Sequence, residues 1–274
     1  MKRTLAALIL GLCSFACAAQ PRIVIAGGSL AEIVYALEGG DAVVGVDQTT
    51  SYPPQTQVLP KVSNWQQLNA EGILSLRPSL LMTWQDANPR QVFDQLTQAG
   101  VKVALFKRTP STPAQLFDNI RQAAELLKRR PAGERLASGI EQQLSAVARR
   151  LTAQKQRVRV AFLLSVGSSA AQVAGKNTVV DGLITLAGGD NIAPHTQYRT
   201  YGAESMITAN PEVIVVTAQS VQQGGIASLA AVPGIVQTLA WKNQRIIALD
   251  QAILLGMGPR VAEAVQALNR GFYP

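Results

Sequence analysis

Two stretches of this chain read as copies of one another. NAEGILSLRPSLLMTW (69–84) aligns without a gap on GAESMITANPEVIVVT (202–217): each has Ala-Glu, an apolar pair, and a proline seven residues beyond the glutamate. Glu71 and Glu204 stand as far apart as Pro78 and Pro211, and upstream ALEGGD (36–41) echoes TLAGGD (185–190). Such a duplication points to two lobes of like topology. In each copy the glutamate falls in the first turn of a short helix, where a carboxylate favours the helix dipole, and the proline ends that helix and launches a strand. On this ground alone both glutamates are helix-start residues.

Around the repeat, strand and helix patterns alternate. RIVIAGGSLAEIVYALEGG gives an apolar strand, a Gly-Gly turn, Ser29 as an N-cap, a helix and a Gly stop. AVVGV (42–46), SLLMTW (79–84) and VKVALF (101–106) are further buried strands, separated by helical patterns at Gln91 to Gln98 and Pro113 to Leu127. Strands spaced by helices imply parallel βαβ units, so the fold class is α/β with two Rossmann-like lobes. Between them, Pro131 suits a helix N1 position, and Leu136, Ile140, Leu144, Val147 and Leu151 recur at helical spacing. The expected division is an N-terminal lobe over 20–130, one stiff connecting helix over 131–155 and a C-terminal lobe over 156–274, with little hinge motion.

The first nineteen residues are expected to be a leader. Lys2 and Arg3, an apolar run from Leu5 to Leu12, and small residues ending in Ala16-Cys17-Ala18 make the three-part pattern of a cleaved secretory signal. A lipoprotein reading would use Cys17, but Ser14-Phe15-Ala16 matches the usual approach to an acylated cysteine poorly. Cys13 and Cys17 are the only cysteines, so the exported chain would hold no disulfide, thiolate ligand or thiol nucleophile. The formal net charge of +8 falls by two with the leader, and no run of like charges marks a nucleic-acid tail. A mildly basic, monomeric exported protein without a nucleic-acid partner is expected.

Enzyme chemistry is not expected. No dinucleotide fingerprint, P-loop, HExxH or GxSxG motif is present, and His195 is the only histidine. Multi-histidine or multi-cysteine zinc sites are excluded by counting. Ligand contacts are expected where the lobes differ. The first lobe carries a surplus loop, VDQTTSYPPQTQVLPKVSNWQQ (46–67), and long loops at strand ends of α/β sheets are where ligands bind. Tyr52, Asn64 and Trp65 lie there, Trp84 closes a strand, and His195, Tyr198, Arg199 and Tyr201 fall in the polar stretch HTQYRTY. These residues suit a cleft for a flat or amphipathic ligand with acid groups, although Trp84 reads equally as core. Lys107 and Arg108, after the fourth strand, have two readings, the rim of that cleft and an ordinary solvated face, and the solvated face is the expectation.

The layout resembles the periplasmic substrate-binding proteins of ABC importers for metal chelates, the class III group with two lobes on one backbone helix. That resemblance covers the whole exported chain. In the family a glutamate on each lobe pairs with permease arginines, and Glu71 and Glu204 match those positions, implying permease transmembrane subunits as partners and the periplasm as the location. RVAFLLSVGSSAAQVAGKNT, LAGGDNIAPHTQYRTYGAESMI and RIIALDQAILLGMGPRVAEAVQALNRGFYP resemble the hemin-binding members. Hemin is thus the implied transported ligand, with no catalytic cofactor. The family's iron-binding tyrosine position carries Asn64, the arginine that follows it is Gln66, and the position of an additional histidine is Val166. Tyr198, Tyr201 and His195 are therefore the iron-donor candidates. In the first lobe, SYPPQ, VSNWQQLN and MTWQDAN resemble the cobalamin-binding branch, where Trp65 and Trp84 match ring-contacting tryptophans. A corrinoid or a ferric siderophore is the alternative ligand.

Overall fold

The computed structural model describes residues 21–154, 156–165 and 171–274; residues 1–19, expected to be a leader, and Val166 lie outside the described residues. In the first lobe, five parallel strands are β1 (Ile23–Ala26), β2 (Val43–Asp47), β3 (Lys61–Val62), β4 (Leu80–Trp84) and β5 (Lys102–Phe106). Their spatial order is β3-β2-β1-β4-β5. Helices α1 (Gly28–Ala36), α2 (Ala70–Ser75), α3 (Gln91–Gln98) and α4 (Pro113–Leu126) make the crossovers and close the lobe. Ile23, Val24, Ile25 and Ala26 are wholly buried, as strands covered on both faces must be. The chain leaves β1 first towards β2 and later towards β4, so strand order reverses there. Ligands of open α/β sheets bind beyond the strand ends at such a reversal.

Helix α5 (Arg130–Leu151) joins the lobes as one 22-residue span, with a proline in its first turn. It begins against α4, where Gly133 comes so close that an added Cβ would lie 2.5 Å from the Ala124 Cβ. At its other end the Leu151 side chain packs on Gly188 in the second lobe. An apolar cluster that includes Ile23, Phe106, Ile140, Phe162 and Phe272 runs through both lobes, so more than the helix joins them.

The second lobe holds β6 (Val158–Ser165), β7 (Ala171–Ala174), β8 (Gly189–Asn191), β9 (Tyr198–Tyr201), β10 (Val213–Thr217) and β11 (Ile246–Leu249). Its helices are α6 (Val179–Leu186), α7 (Ala203–Ala209), α8 (Leu239–Lys242), α9 (Gln251–Leu255) and α10 (Val261–Phe272). Strand order is β11-β10-β6-β7-β9, with β8 also on β6. This sheet departs from the all-parallel expectation, because β7 runs antiparallel to both β6 and β9. The few residues between β6 and β7 cannot supply the dozen or more that a parallel crossover needs.

The repeat survives in detail. Glu71 and Glu204 both occupy the first turn of their helices, α2 and α7. In both copies the residue before the proline, Arg77 or Asn210, takes a positive φ, at 47° and 39°. Only the first copy has a side-chain cap, Asn69, which accepts from the Gly72 N–H at 2.8 Å.

Candidate functional site

Between the lobes lies a cleft of about 730 Å³ lined from both sides. Its first-lobe wall is built where strand order reverses. Asp47, the last residue of β2, is wholly buried. Its carboxylate accepts from the hydroxyls of Thr49 at 2.8 Å and Thr50 at 2.7 Å, and the nearby backbone N–H groups of Trp65 and Gly27 favour its charged form. Burial pushes this carboxyl above its ordinary value, and the four donors pull it back. One anionic group thus ties together the ends of β1 and β2 and the loop bearing Trp65. Lys61 closes the same loop by donating to the Thr50 carbonyl at 2.6 Å.

Trp65 is held from several directions. Asn64 accepts from the Gln66 N–H through its side-chain oxygen at 2.8 Å, an Asx turn that fixes the SNWQ bend. The Trp65 carbonyl accepts from the Asn88 N–H at 2.9 Å. The Arg108 guanidinium lies 4.7 Å from the ring centroid, in cation–π contact, and is itself paired with Asp86 at 2.7 Å. The Arg108 Nε is buried without a hydrogen-bond partner. Trp84, at the end of β4, lines the cleft but is only 5 % exposed. Its indole crosses the β1–α1 turn so closely that a Cβ on Gly27 would lie 2.5 Å from the indole nitrogen, and Gly27 has φ 148°.

Tyr52 is 39 % exposed and also lines the cleft, with the Arg260 guanidinium 3.6 Å from its ring centroid. Arg260 comes from the second lobe and donates to both carboxylate oxygens of Glu32 on α1, at 3.1 and 2.7 Å. From the second lobe, Tyr198 reaches the cleft. Burial raises its phenol pKa, and the nearby Arg108 charge opposes that rise.

Five of the eight expected contact residues, Tyr52, Asn64, Trp65, Trp84 and Tyr198, are therefore brought together. His195, Arg199 and Tyr201 do not line this cleft. The reason is local: Tyr198–Tyr201 is the strand β9, not a loop, and side chains of a strand alternate between faces. Tyr198 packs on the apolar cluster shared by both lobes, whereas Tyr201 packs on a second cluster. There the Tyr201 hydroxyl meets His195 Nδ1 at 3.3 Å, and His195 Nε2 lies 3.2 Å from the Val173 carbonyl. Burial raises the Tyr201 phenol pKa, against the pull of Arg199. Lys107 and Arg108 line the cleft, the rim alternative and not the expected solvated face. The sequence reading also passed over Glu32 and Arg260. A glutamate inside the apolar helix SLAEIVYAL was the available signal, since a buried carboxylate there needs a partner. No group of three or more His, Cys, Asp or Glu side chains that could hold a metal ion occurs among the described residues.

Two α/β lobes on one helix, enclosing a cleft at the strand ends, define a solute-binding protein. The chain belongs to the periplasmic binding protein family, whose profile matches residues 23–253. Among solved structures, the periplasmic heme-binding protein RhuT from Roseiflexus sp. RS-1 in apo form is 37% identical, with a TM-score of 0.87 over 93% of this chain and 98% of that one. The heme-binding protein HutB of Vibrio cholerae is 32% identical, with a TM-score of 0.83 over 93% and 100% of the two chains. The vitamin B12-binding protein of Yersinia pestis is 26% identical over 273 residues, 98% of this chain and 92% of its own length.

Proposed function

We propose that this protein captures hemin in the periplasm and delivers it, without chemical turnover, to the membrane subunits of an ABC importer. The observation that carries the reading is the cleft itself. Aromatic side chains from both lobes, Trp65 and Tyr198, line a space whose volume falls within the roughly 300–1,000 Å³ usual for small-molecule sites. Lys107 and Arg108 supply positive charge on one wall, which suits an acid group on the ligand. The heme-binding structures described above support the choice of hemin.

Of the three iron-donor candidates, Tyr198 is the one that lines the cleft, and we assign it that role. Its raised phenol pKa means that the bound metal must itself favour the phenolate. Glu71 and Glu204, on equivalent helices of the two lobes, are the proposed contacts to permease arginines.

A corrinoid is the second reading, and a specific observation favours it. Amide side chains line both walls, with Gln48, Asn64 and Asn119 from the first lobe and Gln197, Gln219 and Gln251 from the second. Such groups match a neutral, amide-bearing ligand periphery, and a corrinoid brings its own metal ligands. The curated vitamin B12-binding relatives agree with this reading. Absorbance titrations with hemin and with cyanocobalamin separate the two. The hemin reading requires a saturable Soret shift; no shift with hemin beside tight cyanocobalamin binding would overturn it.

A further inference from the structure

Glu32 is an unusual residue for its place. It lies inside α1 among Ala31, Ile33 and Val34, and is 6 % exposed. Burial raises its pKa despite the charge and hydrogen bonds of Arg260, so the carboxylate is held at a cost. Its partner lies across the molecule. Arg260 belongs to the second lobe, immediately before α10, and donates to both oxygens of Glu32. The other use of its guanidinium is the contact with Tyr52, a first-lobe residue at the cleft. Close docking of the second-lobe segment on α1 supports the arrangement: a Cβ on Gly258 would lie 3.1 Å from the Ser29 Cβ and 3.3 Å from a Glu32 oxygen.

We infer that Glu32, Arg260 and Tyr52 form an inter-lobe clasp in which Arg260, oriented by Glu32, is the positioning residue for Tyr52 as a ligand platform. One cation thereby does two things. It ties the second lobe to α1, and it presses one face of the Tyr52 ring so that the ring stands ordered at the cleft before a ligand arrives. Ordering the platform in advance removes part of the cost of binding and slows release. This inference does not depend on which macrocycle the cleft takes.

Two substitutions separate the platform role from a plain ion pair. Arg260→Lys keeps a charge for Glu32 but loses the flat fork over Tyr52. Exchanging the pair, Glu32→Arg with Arg260→Glu, restores opposite charges but puts a carboxylate beneath the ring. Hydrogen exchange of the ligand-free protein is read on the segment 47–59, with β1 and β4 as internal controls. Release of hemin, and separately of cyanocobalamin, is followed by stopped flow. The clasp requires faster exchange at 47–59 with unchanged β1 and β4 in Arg260→Lys. It also requires release of whichever probe binds to be faster by about two- to fivefold, the range of a cation–π contact on a ring as exposed as Tyr52. In the exchanged pair, thermal stability should recover relative to Arg260→Met, which leaves Glu32 buried without a partner, while fast release persists. Unchanged exchange at 47–59 in Arg260→Lys would overturn the platform role even if neither probe binds. Full recovery of slow release in the exchanged pair would also overturn it, leaving an ordinary ion pair.

Discussion

Asp47→Asn is the most informative single change in the cleft wall. In the wild type a wholly buried carboxylate accepts from two hydroxyls, and two backbone N–H groups beside it favour its charged form. Asparagine keeps one oxygen and substitutes an NH2 group, a donor facing donors. The hydroxyls of Thr49 and Thr50 can rotate elsewhere, but the N–H groups of Gly27 and Trp65 cannot. A buried donor without an acceptor costs roughly 1–3 kcal/mol, and the variant strands at least one of the two. The substitution also removes a buried charge, whose unfavourable desolvation is visible in the raised pKa. The net loss at pH 7 should be about 1–3 kcal/mol. With a urea slope of roughly 3 kcal/mol/M, the midpoint should fall by roughly 0.3–1 M. The pH dependence fixes the sign. Because the folded state binds the Asp47 proton more tightly than the unfolded chain, wild-type stability declines as pH rises from the ordinary value of 3.8 through the folded value, then levels off. Asparagine lacks that proton, so the gap between wild type and variant should widen on acidification from pH 7 towards that value. Equilibrium urea unfolding across this range gives the answer. An unchanged midpoint at pH 7, or a gap that narrows on acidification, would refute the role given to Asp47.

Trp65→Ala should weaken hemin binding by about tenfold or more in the absorbance titration, since it removes the aromatic surface held at the cleft. Gly27→Ala should lower the unfolding free energy by about 2 kcal/mol, because its backbone is at φ 148° and the new methyl would meet the Trp84 indole. In a reconstituted uptake assay, Glu71→Ala and Glu204→Ala should each reduce ligand delivery while leaving the titration of the soluble protein unaltered.

Much of the architecture was legible because its signals are local. The duplicated Ala-Glu and proline pattern marked two lobes, and the spacing from Leu136 to Leu151 marked the helix between them. The strand reading failed where geometry, not propensity, decides. HTQYRTY looks like a polar loop, yet pairing with β7 makes part of it the strand β9, and alternation then sends Tyr198 and Tyr201 to different clusters. The Glu32–Arg260 pair spans most of the chain, a separation no local window reaches. Arg108 was weighed towards a solvated face for a related reason. A cation after a strand looks like surface until the fold brings Trp65 and Asp86 to it.

The decisive measurement is the position of iron in crystals of the protein grown with hemin, read from anomalous scattering at the iron edge. An anomalous peak inside the inter-lobe cleft, between Trp65 and Tyr198 and within bonding reach of the Tyr198 hydroxyl, is the expected result. A peak at the His195–Tyr201 pair outside the cleft, or no peak from crystals in saturating hemin, would contradict it.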